Sequence, residues 1–105
     1  MHTISDKAEV AIDFPDKAYM GSFGRDCSFD AHADAEGMTI RLVRTSGEKR
    51  EADIHLHHFL FAGILDDLAH SLDAIEPIDE THRHPLLAAA RKLAAALERG
   101  APSAT

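Results

Sequence analysis

Apolar residues alternate with polar ones between residues 27 and 56 and then recur every three to four positions to residue 75. Phe29, Ala31 and Ala33 alternate with Asp30 and His32; Met38, Ile40 and Leu42 alternate with Thr39 and Arg41; Ala52, Ile54 and Leu56 alternate with Asp53 and His55. A period of two puts one face of a strand on a core, and a period near 3.6 does the same for a helix. The pattern predicts three strands followed by a helix from about residue 57 or 58 to 74. The stripe of that helix is Phe61, Ile64, Leu65, Leu68, Leu72 and Ile75, and Phe59 falls on its opposite side.

Turn chemistry fixes the pairing. The loop Asp34-Ala35-Glu36-Gly37 suits a type I turn closed by a glycine that tolerates positive φ. It sets Ala33 opposite Met38, Ala31 opposite Ile40 and Phe29 opposite Leu42. The next loop, residues 45–49, sets Ile40 opposite Ile54 and Leu42 opposite Ala52, which places Arg41 between Asp30 and Asp53 on the polar face. Opposite charges facing each other across strands reinforce that register.

Upstream, Val10, Ile12 and Phe14 suggest a strand ending at Pro15, followed by an irregular segment at residues 16–25. Within that segment Tyr19, Met20 and Phe23 are too apolar for a solvated loop and should pack on the sheet or a partner. Downstream, Pro85 suits a first helical position and Gly100 the residue past the end, so a second helix is expected over residues 85–99. Its stripe is Leu86, Ala90, Leu93 and Leu97, and its alanines permit close approach of another helix. The fold class is therefore α+β: an antiparallel meander of three to four strands with two C-terminal helices packed on one face. The 105 residues suit a single domain, with residues 1–7 and 101–105 expected to be flexible.

Composition narrows the function classes. A formal charge of −7, with the 11 lysines and arginines scattered, opposes nucleic-acid binding, which needs a basic stripe. No apolar run follows a basic start, and Asp66, Asp67 and His70 interrupt the longest helical segment; neither a signal peptide nor a membrane span is expected, and the cytoplasm is the expected compartment. The single cysteine, Cys27, shares the inward parity of Phe29 and reads as a small core residue.

Histidine is the unusual residue, with eight copies. Protonating all of them takes the formal charge from −7 to +1, which allows a pH-dependent association. His55 and His57 project from the same strand face, and with His58 they are the candidate metal ligands, zinc or another transition metal being the cofactor implied. A zinc site needs three or four converging ligands, and the spacing supplies only pairs. His32 lies about 10 Å from His55 across Thr39. His70, one turn from Asp66, is accounted for by the helix C-terminus, where partial negative charge favours a cation. Gly21-Ser22-Phe23-Gly24 lacks the ending of a phosphate-binding loop, and no nucleophile or paired carboxylates form a catalytic signature.

The expected function is that of a small interaction module, not an enzyme: a homodimer or the binder of a basic protein partner, with Tyr19, Met20, Phe23, Val43 and Phe59 as the interface. Histidine-based metal binding is the alternative. An acidic mimic of nucleic acid would need an unbroken acidic ridge, and Arg41 interrupts the one formed by Asp30, Asp34, Glu51 and Asp53.

Overall fold

The computed structural model describes residues 1–100; the expected tail at residues 101–105 lies outside them. Six strands and two helices follow in chain order: β1 (His2–Thr3), β2 (Ala8–Phe14), β3 (Lys17–Phe23), β4 (Ser28–Ala33), β5 (Gly37–Arg44), β6 (Arg50–His57), α1 (His58–Ala74) and α2 (Glu80–Arg99). A four-stranded antiparallel sheet runs in the order β1-β4-β5-β6, and β2 and β3 form a separate hairpin. The class is α+β. The chain falls into two compact units, Met1–Asp67 and a second beginning at Leu68, with the division inside α1.

Register in the meander is the one dictated by its loops. Ala33 pairs with Met38, Ala31 with Ile40 and Phe29 with Leu42. Ile40 pairs with Ile54, Arg41 with Asp53 and Leu42 with Ala52. The first loop closes differently from expectation, because Gly37 does not adopt a positive φ. Glycine is needed there for proximity: a Cβ on Gly37 would sit 2.1 Å from the Leu56 carbonyl oxygen. Asp34 organises the loop, its Oδ1 accepting from the amides of Glu36 (2.8 Å) and Gly37 (2.9 Å). Among the described residues the one positive φ belongs to Gly47, at +70°, in the following loop.

Residues 16–25 are not irregular. Lys17–Phe23 is a strand that pairs along its length with β2, from Ala8 opposite Phe23 to Phe14 opposite Lys17. Pro15 and Asp16 make a two-residue connection, and proline's fixed φ starts the turn. Gly21 and the small residues of this segment weaken the alternation that would otherwise announce a strand.

Residues 1–7 are likewise more ordered than expected. His2 and Thr3 pair with Phe29 and Ser28 of β4. The amide of Ile4 donates to the Cys27 carbonyl (3.0 Å), and its side chain is buried. Ile4, Phe23 and Cys27 form the buried cluster, with Val10, Leu42 and Ala52 packed against it. The core thus lies where the base of the β2–β3 hairpin and β1 meet one end of the meander. Burial fades toward the other end, and Ile54 remains 42% exposed.

The first helix begins and ends as its periodicity predicts. The second starts five residues earlier than expected, at Glu80, so Pro85 lies inside it. Asp79 is the N-cap: its carbonyl accepts from the amides of His82 (3.1 Å) and Arg83 (2.8 Å). Its carboxylate also meets His82 Nδ1 at 2.7 Å. Pro85 removes the bond its own amide would have made in the second turn, and the Asp79 cap compensates part of that cost. His82 and His84 are therefore helical and not part of a loop. Neither helix contains a buried residue.

Candidate functional site

The five interface candidates separate cleanly by burial. Phe23 is removed from that set: at 2% exposure it is a core residue, drawn in by the hairpin that sequence reading missed. Val43 is half-buried, paired between Ser28 and Glu51. Tyr19 is exposed, Met20 is 87% exposed and Phe59 is 96% exposed. Phe59 belongs to the first turn of α1, so its position opposite the helix stripe leaves it in solvent.

Strand pairing adds two residues that alternation had assigned to the interior. Ile12 stands opposite Tyr19, and the rings of Phe14 and Tyr19 meet edge to face with centroids 6.4 Å apart. All three are exposed, on the face of the hairpin that carries Phe23 at its base. The same strand face is dry at one end and apolar but wet at the other. Met20 projects from the opposite face, beside an open hollow of about 610 Å³ that Lys7, Glu9, Ser22 and Arg50 also line. Arg50 is engaged there, donating from Nη1 to the Ser22 carbonyl (3.0 Å) and lying 3.6 Å from Glu48.

The helices hold the larger apolar surface. Along α1, Phe61, Ile64 and Leu65 are half-buried, whereas Leu68, Leu72 and then Ile75 just past its end are exposed. Along α2, Leu86, Leu87 and Leu97 are exposed. Apart from Leu87, these are stripe positions that periodicity assigns to an interior.

The histidines meet acidic and carbonyl oxygens more than they meet one another. His55 and His57 do share a face, with ring centroids 5.0 Å apart. His55 Nε2 lies 3.5 Å from Asp34 Oδ2. His58 turns elsewhere and donates from Nε2 to the Ala35 carbonyl (3.0 Å). His32 Nδ1 is 3.3 Å from Asp30 Oδ2. Among the described residues, no three His, Cys, Asp or Glu side chains converge to hold a metal ion.

Charge on the polar sheet face is balanced locally. Arg41 bonds Glu51 through Nε and lies 3.5 Å from Asp53. Its guanidinium is held more strongly protonated by the Glu51 bond first and then by the charges of Glu51, Asp53 and Asp30. Amide donors from Glu36 and Gly37 hold Asp34 below the usual carboxylate range, with a smaller effect from His55. Asp26 is lowered chiefly by the Cys27 thiol, whose Sγ–H donates to Oδ1 (3.3 Å), and then by Arg44, 3.2 Å away. These contacts organise the loops and strands of the sheet.

Among the described residues, no helix is long and apolar enough to cross a membrane. Compared with protein-family models, curated proteins and solved structures, the chain matches none.

Proposed function

We propose that this protein is an interaction module whose first partner is a second copy of itself. One observation carries the reading: Leu68, Leu72, Ile75, Leu86 and Leu97 occupy core positions by period and are 49–60% exposed in the single chain. Exposed apolar surface at positions of this kind marks association sites.

Magnitudes support assembly. Full burial of an aliphatic side chain is worth roughly 1.5–3 kcal/mol, so each half-exposed one forgoes about 1 kcal/mol. Those five from each of two chains supply on the order of 10 kcal/mol, within the roughly 4–15 kcal/mol that association costs. Pairing is thus reversible and concentration-dependent. Since each chain carries −7, added salt should strengthen it by screening their repulsion.

Sedimentation equilibrium over a concentration series tests the reading. The wild-type chain should pass from monomer to dimer. Leu72→Glu and Leu97→Glu should hold it monomeric while the far-ultraviolet dichroism of strand and helix persists. A wild-type chain that remains monomeric throughout the series overturns self-association.

A further inference from the structure

The sheet itself offers the second copy a docking edge, an inference that rests on self-association. β6 is the last strand of the four-stranded sheet: β5 pairs with one side of it, and among the described residues no strand pairs with the other. Eight residues long, it contains no proline and no break in register, two of the devices that blunt an edge, although Arg50, Glu51 and Asp53 give it charge. By contrast β1 occupies part of the outer edge of β4, pairing with Ser28 and Phe29.

We infer that β6 pairs antiparallel with β6 of a second copy, centred on Ile54, to join the two sheets into one. The register is chosen by charge. Centring on Ile54 sets Asp53 opposite His55 of the second copy and Glu51 opposite its His57, and both relations recur by symmetry. On the other face Ala52 meets the second Leu56, and Ile54 meets its own equivalent. Shifting the centre by one residue either way, to Asp53 or His55, brings two aspartates or two imidazoles face to face. Like charges directly opposite are unfavourable and unlike ones favourable.

The unpaired edge of β2 shows the contrast. β2 paired with itself about Ala11 would oppose Glu9 to Asp13. In β6 the row across the joined sheet reads Asp30, Arg41, Asp53 and then the second copy's imidazole, alternating in sign when that ring is protonated. The row of histidines thereby gains an explanation that needs no metal. Each imidazole on β6 answers a carboxylate on the same strand of the second chain.

Cysteine substitution in the full chain reads the register directly. Under mild oxidation Ile54→Cys should give a disulfide-linked dimer, because a central cross-strand pair brings its Cβ atoms within bridging range. Ala52→Cys and Leu56→Cys should each stay unlinked alone and link when mixed. Native Cys27 is buried and should not compete. Asp53→Lys and His55→Asp should each weaken the dimer about tenfold or more, and the double exchange should restore it. Failure of Ile54→Cys to link while the wild-type chain sediments as a dimer overturns the edge pairing and leaves self-association standing. A wild-type monomer removes both.

Discussion

The corner built by Ile4, Phe23 and Cys27 and the helical stripe from Leu68 to Leu97 carry the same kind of signal and meet opposite fates. Both consist of apolar side chains, the stripe at helical spacing and Cys27 at the parity of Phe29. In the corner three segments converge, the amide of Ile4 bonds to the Cys27 carbonyl, and the side chains are buried. In the helices no side chain is buried. Periodicity therefore names a face and does not bury it. Burial needs a second surface, which the corner finds within its own unit, whereas Leu68, Leu72, Leu86 and Leu97 stay exposed.

The contrast is broken most directly by Phe23→Ala. Truncating a buried phenylalanine removes transfer energy and leaves a void, costing about 3–5 kcal/mol. Leu97→Ala, at an exposed stripe position, should move stability of the dissociated chain by no more than about 0.5 kcal/mol. Urea titration at low protein concentration compares the two. Equal losses would mean that the corner is not the core.

A smaller but sharper effect is expected at Gly37. A methyl group there collides with the backbone of Leu56 and His57, which has no side-chain freedom to yield. Overpacking of this kind costs about 1–3 kcal/mol, and Gly37→Ala should reach that range in the same titration. Gly63→Ala is the control, since nothing lies within 4 Å of the added carbon and alanine favours a helix.

Below these comes the cap of α2. Asp79→Ala removes the carboxylate that accepts from the His82 amide and meets the His82 ring, while the backbone carbonyl remains, and should lower helical dichroism and the thermal midpoint by a few degrees. Asp79→Asn keeps a capping oxygen and should retain most of both.

How far the sequence could be read follows from which physical signal decides each feature. Meander register was legible because loop length, alternation and the Asp30–Arg41–Asp53 row all select one pairing. The β2–β3 hairpin was not, because glycine and small residues hide the alternation, and Pro15 marks a turn as readily as an end. Missing that hairpin left Phe23 among the interface candidates and kept Ile12 and Phe14 off that list. The start of α2 was missed because Pro85 resembles a first helical residue, whereas Asp79 with its His82 contact is the stronger start signal. The histidine cluster was legible as composition. That His58 turns to Ala35 and His55 to Asp34 depends on side-chain directions that spacing does not encode.

Acid titration gives the smallest effect and separates the two regions once more. Asp34 in the meander turn and Asp79 at the start of α2 are both held below the ordinary carboxylate range, the first by backbone amides and the second chiefly by the His82 ring. A carboxyl more acidic in the folded than in the unfolded chain stabilises the fold above its unfolded value, near pH 3.9. That contribution is lost as pH falls through the lower folded value. Stability should therefore hold steady from neutral pH down to about pH 4 as far as these groups decide it, and decline below. Asp34→Asn should flatten the acid limb seen by near-ultraviolet signals of the sheet, and Asp79→Asn the limb seen by helical dichroism. Because the two carboxylates belong to different elements and share no partner, the double variant should show the sum of the separate changes. A limb that either single variant abolishes in both signals would show the regions to unfold as one.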